Sequence, residues 1–89
     1  MQETKQQIEN LKSGQIFHEG YDYWFIILRV IGDRVHYLEG SNPTKLIKKQ
    51  STIEELYNYM TYDWDRSLSR VKFDGFRPDI EELIKKYLD

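Results

Sequence analysis

The sequence contains no cysteine. Disulfide frameworks, thiolate metal sites and cysteine nucleophiles are therefore excluded. There are only two prolines and five glycines, and each stands where an element should start or stop. Long apolar runs are missing as well. The longest, Trp24 to Leu28, is far shorter than a membrane span. The polar opening MQETKQQIEN lacks a signal-peptide pattern, so a cytoplasmic protein that does not cross a membrane is expected. Neither sign of charge dominates: 13 Lys and Arg stand against 15 Asp and Glu, for a net charge of −2. The chain as a whole thus carries no electrostatic footprint for nucleic acid. Phosphate-cradling Gly-x-x-x-x-Gly-Lys and Gly-x-Gly-x-x-Gly loops are absent, as is a Gly-x-Ser-x-Gly nucleophile elbow.

What the sequence does have is aromatic bulk. Phe, Trp and Tyr make up 15% of the 89 residues, and seven of them are tyrosines. Area scaling for a chain of this mass gives a folded surface of roughly 5,500 Å², with about 65% of the extended chain's surface buried. That suffices for one core, so residues 1–89 are expected to form a single domain, with 1–13 a weakly held helical segment. Hydrophobic residues at 39% and charged residues at 31% suit a globular domain rather than a disordered tail.

Ile8 and Leu11 give the polar segment 2–12 a narrow apolar stripe, and Gly14 stands where a helix would end in a left-handed cap. Residues 15–18 and 21–31 are rich in aromatic and β-branched residues, with Gly20 between them. Gly32-Asp33 separates the second run from residues 34–39, and a two-residue Gly-x loop between such runs predicts a hairpin. An uninterrupted register sets Ile31 across from Arg34, Val30 from Val35, Arg29 from His36 and Leu28 from Tyr37. Alternation then puts Trp24, Ile26, Leu28, Val30, Val35 and Tyr37 on one face. The other face carries Arg29, Arg34 and His36 near the turn, then Phe25, Ile27 and Leu38 further away.

The cluster Gly40-Ser41-Asn42-Pro43 reads as a turn, and 44–49 as a short basic edge strand. Ser51 with Glu54 reads as a capping box. Ile53, Leu56, Tyr57 and Met60 mark an amphipathic helix over about 52–62. Residues 70–73 alternate like a strand, Asp74-Gly75 reads as a turn, and Pro78 with Asp79 and Glu82 opens a terminal helix over about 78–88. The resulting order, α-β-β-β-(β)-α-β-α, predicts an α+β fold. It consists of a small, strongly curved antiparallel sheet with an N-terminal helix and two covering helices. Its strand count resembles that of small SH3-like, partly open barrels.

Few residue sets suggest chemistry. Serines 13, 41, 51, 67 and 69 lie at turns or caps. His18, Glu19, His36 and Glu39 match no metal-site spacing, and His36 and Glu39 fall on opposite strand faces. Asp63 and Asp65 flank Trp64, and Asp22 sits between two tyrosines, but paired-carboxylate chemistry also needs a cleft. No catalytic, cofactor or metal residue is assigned, and an enzyme is not expected.

Charge is unevenly spread. Lys45, Lys48 and Lys49 occur in 41–50 without an acid, and Arg66, Arg70, Lys72 and Arg77 occur in 66–77 with only Asp74. Tyr59, Tyr62 and Trp64 fall close to these in sequence. Tyr, Trp and Arg are enriched at protein hot spots. The expected function is therefore a non-catalytic interaction module. It would bind a protein partner through a surface around 59–77, as an inhibitor or accessory subunit of bacterial or phage type. Should the 45–49 and 66–77 cations converge, they would instead suit single-stranded nucleic acid. A third reading is a small-ligand-binding or sequestering protein with tyrosines at the sheet rim, Tyr21 and Tyr23 among them. A homodimer paired through the 45–49 edge also fits the sequence.

Overall fold

The computed structural model describes residues 2–20, 23–42, 44–61 and 71–88. The elements run α1 (Gln2–Glu9), β1 (Gln15–Glu19), β2 (Tyr23–Ile31), β3 (Arg34–Gly40), β4 (Ile47–Thr52), α2 (Ile53–Met60), β5 (Val71–Phe76) and α3 (Ile80–Tyr87). The five strands form one antiparallel sheet in the order β4-β3-β2-β1-β5, so the expected α+β class and element order are both present. The sheet does not close: β4 and β5 are its two edges. No helix among the described residues is long and apolar enough to cross a membrane.

The helices cover both faces. α1 and α2 lie on one, over a core built around Ile8, Phe17, Phe25, Ile27, Val35, Tyr37, Leu56 and Met60. α3 lies on the other, where Ile84 packs with Ile26, Leu28 and Leu38. Phe25 to Leu28 are all buried because the centre of β2 is sandwiched between these two layers. Such two-sided burial explains the unbroken apolar run of this strand.

The hairpin turn forms as expected: Ile31 pairs with Arg34, Val30 with Val35 and Arg29 with His36. Gly32 adopts a φ of 61°, the left-handed conformation that a tight loop needs and other residues resist. Beyond Arg29 the expected register fails. Tyr37 pairs with Ile27 rather than Leu28, because the ladder shifts by one residue between Ile27 and Arg29. A bulged residue switches the phase of alternation. Val30, Val35 and Tyr37 therefore share the α1/α2 face with Phe25 and Ile27, while Ile26 and Leu28 lie under α3. The single face predicted from uninterrupted alternation is corrected accordingly.

Five other features differ from expectation. α1 ends at Glu9, well before Gly14. Gly14 instead joins two strands' ends, its N–H donating to the Ile27 carbonyl and its carbonyl accepting from Arg77. The 44–49 strand is displaced to 47–52, so Ser51 is held in the ladder across from Val35. The cap of α2 moves one residue on: the Thr52 hydroxyl accepts from the Glu55 N–H at 3.0 Å and donates to the Glu55 carboxylate at 3.0 Å. Asp74-Gly75 is not a turn but a bulge within β5, where the register to β1 shifts and Gly75 takes a φ of 104°. Asp79 precedes α3 without capping it by its side chain, because Arg77 grips that carboxylate through two hydrogen bonds of 2.7 Å.

Candidate functional site

Alternation in β1, β2 and β3 places Glu19, Tyr23, Phe25, Tyr37 and Glu39 on the face that α2 covers. α2 adds Glu55, Leu56 and Tyr59 from successive turns. Between the helix and the sheet lies a hollow of about 240 Å³ lined by Phe25, Tyr37, Glu39, Ser51, Glu55, Leu56 and Tyr59. Its walls are aromatic. Phe25 meets Tyr59 edge-on at 5.7 Å and Tyr23 edge-on at 5.3 Å, with Tyr37 tilted against it at 6.3 Å. Its polar lining includes two carboxylates, Glu39 and Glu55, with Ser51 beside them. The Tyr59 hydroxyl donates to Glu19 at 3.2 Å, and Glu39 meets Lys49 Nζ at 3.3 Å.

The phenols register this environment. Burial, then a hydrogen bond to Glu39 and its charge, pushes Tyr23 up to about 12. Burial and Glu39 raise Tyr37, and burial with the Glu19 charge raises Tyr59. All three shifts reflect surroundings that disfavour added negative charge. Burial, the leading cause, disfavours charge of either sign, whereas the Glu39 and Glu19 contributions, with the aromatic lining, favour a cation. Tyr59 is half exposed, at 54%, and forms its outer wall. A second hollow, of about 580 Å³, lies beside it where Ile8 and Glu9 of α1 meet Asp33, Thr52, Ile53, Glu54 and Tyr57.

Among the described residues, those expected to contact a partner are dispersed. Tyr59 and Lys49 lie on the α2 face. Lys48 is on the opposite face, beside His36, and Lys45 is exposed ahead of β4. Lys72 lies in β5 across from His18, at the far edge of the sheet. Arg77 is committed to Asp79. Tyr62, Trp64, Arg66 and Arg70 lie outside the described residues, as does Tyr21. Among the described residues, Lys48 and Lys49 in β4 and Lys72 in β5 belong to strands at opposite sheet edges.

The sequence offers Glu19 and Glu39 only as metal-ligand candidates and does not join them to Glu55, because the three come from distant elements. Tyr23 and Glu39 share a face only because of the bulge at Leu28, which leaves no mark in the sequence. His18 hydrogen-bonds the Gly20 carbonyl through Nδ1 at 2.9 Å, and no group of three potential metal ligands converges among the described residues. The chain matches no protein-family model, no curated protein and no solved structure.

Proposed function

We propose that this α+β chain is a non-catalytic interaction module that docks a protein partner on its α2 face, with a lysine or arginine side chain of the partner entering the hollow under Tyr59. The observation that carries this reading is the coincidence of aromatic walls at Phe25, Tyr37 and Tyr59 with carboxylates at Glu39 and Glu55 in one 240 Å³ space. A cation over a ring gains about 0.5–1 kcal/mol at an exposed site and more when desolvated. An exposed tyrosine beside such a pocket makes a suitable anchor for the rest of the interface. Lys49 already meets Glu39 at the rim, so an incoming cation competes with it.

The test is an NMR titration with N-acetyl-arginine amide and N-acetyl-lysine amide, compared with N-acetyl-glutamine amide. Saturable shifts confined to Phe25, Tyr37, Leu56 and Tyr59, seen with the cationic compounds only, are expected. Tyr59→Ala should weaken that binding about three- to fivefold. Lys49→Ala should strengthen it by removing the competitor. Equal shifts with the glutamine compound, or shifts scattered over the surface, would refute the proposal.

A further inference from the structure

The same alternation that gathers glutamates under α2 gathers cations on the other side of the sheet. Arg29 pairs with His36, Arg34 precedes His36 by two residues, and Lys48 pairs with Leu38 beside it. Paired residues and residues two apart share a face. Arg29, Arg34, His36 and Lys48 therefore occupy one face of β2, β3 and β4, beyond the cover of α3. Gln50, across from His36, and the exposed Ile31, across from Arg34, complete it.

These cations lack acidic partners. The chain has more acids than bases, yet the ion pairs among the described residues are Lys49–Glu39 and Arg77–Asp79, neither on this patch. Lys48 Nζ instead lies 3.0 Å from His36 Nδ1. A lysine ammonium can only donate, so Nδ1 accepts and the imidazole proton sits on Nε2. His36 is neutral and held so by burial and by Lys48, Arg34 and Arg29. The folded chain thus holds three like charges together without neutralising them, an arrangement that an anion would relieve.

The geometry points to one phosphodiester strand of nucleic acid lying across this face, held by Arg29, Arg34 and Lys48, with His36 Nε2 as a neutral donor. The patch is an open sheet surface about 10 Å across, the width of two strand spacings. That suits an extended ligand rather than an enclosed one, and a single backbone rather than the two that border a duplex groove. Guanidinium forks match phosphate oxygens in pairs. A nucleic-acid strand also carries a charge on every repeat, whereas an acidic peptide does so only where its sequence allows. Of these cations, Lys48 alone belongs to the 45–49 and 66–77 set. The proposal is independent of the cation pocket on the α2 face.

The test is fluorescence anisotropy of a labelled oligothymidylate titrated with the full chain. Three neutralised phosphates on a single strand give a log–log salt slope of about −2, so affinity should fall about a hundredfold between about 20 mM and about 200 mM salt. The double variant Arg29→Ala/Arg34→Ala should reduce the slope to about −0.7. Lys49→Ala, on the other face, should leave both affinity and slope unchanged. Thermal unfolding of the double variant should show a midpoint equal to or above that of the parent, because it loses repulsion rather than packing. No binding at low salt, or undiminished binding by the folded double variant, would overturn the inference. Equal affinity for a poly-glutamate of matched charge would also overturn it, by making the face a site for acidic proteins.

Discussion

Ile27 sits directly across the β2–β3 ladder from Tyr37, where an unbroken hairpin grown from Gly32-Asp33 would have put Leu28. That one-residue offset lets Leu28 turn under α3, fully buried, while Val30 rejoins the opposite core. Leu28→Ala should cost about 2–5 kcal/mol, the range for an aliphatic side chain lost from a core. Urea denaturation measures it. On the facing helix, Ile84 is buried and Leu83 only half-buried. Ile84→Ala should therefore destabilise more than Leu83→Ala, although the helical stripe alone makes the two look equivalent.

The offset also shows what the sequence could reveal. Turn chemistry and strand composition located β1, β2, β3 and their hairpin, and the stripe Ile53, Leu56, Tyr57, Met60 located α2. Bulges left no such mark. Tyr23 to Leu28 is apolar in both phases of a period-two pattern, so alternation fits either register there. Ser51-Thr52-Ile53-Glu54-Glu55 satisfies a capping box in two frames, and only the ladder to β3 selects Thr52. The order of strands in the sheet is non-local, and it alone shows that β4, with Lys48 and Lys49, and β5, with Lys72, lie at opposite edges. Tyr59 was legible as an exposed residue because the helix stripe leaves it out. The glutamates that surround it were not.

Gln15 has no exposed surface, yet it is polar. Its side-chain amide donates to the carbonyls of Gln7 and Asn10 at 3.0 and 3.1 Å and to the Gln7 side chain at 2.9 Å, while its Oε1 accepts from the Lys12 N–H at 2.9 Å. It thus ties the end of α1 to the first strand, supplementing the bond from the Phe73 N–H to the Thr4 hydroxyl. Gln15→Ala should cost about 1–3 kcal/mol, because buried backbone groups lose their partners. Hydrogen exchange should show the loss concentrated in α1 and in the strand entry at 12–15.

His36 makes stability depend on pH in the weakly acidic range. Burial and then Lys48, Arg34 and Arg29 lower its folded pKa below the ordinary value of 6.5. Between the two pKa values the unfolded chain binds more protons than the folded one, so stability is retained above the unfolded pKa and declines as pH falls below it. The melting temperature of the parent should drop relative to His36→Asn as pH is taken from about 7 to about 5. Comparison with the variant removes the contribution of the carboxylates. Lys48→Ala should raise the His36 pKa followed by NMR, since it removes a neighbouring positive charge.

Tyr23 makes the opposite demand at high pH. Its phenol is pushed up to about 12 by burial and Glu39, against an ordinary value of 10.0, and Tyr37 and Tyr59 move in the same direction. In the unfolded chain these phenols ionise first, so the folded chain holds more protons between the two pKa values. The stability they contribute is complete below the unfolded pKa and is lost as pH rises through the folded one. Phenolate absorbance should show a late-titrating class of tyrosines that coincides with alkaline unfolding. Glu39→Gln should bring Tyr23 back toward its ordinary value without abolishing the shift, because burial is the larger cause. The same variant removes one of the two carboxylates in the hollow and should weaken binding of N-acetyl-arginine amide there. An unchanged tyrosine titration in that variant would show that Glu39 does not set the field around the pocket.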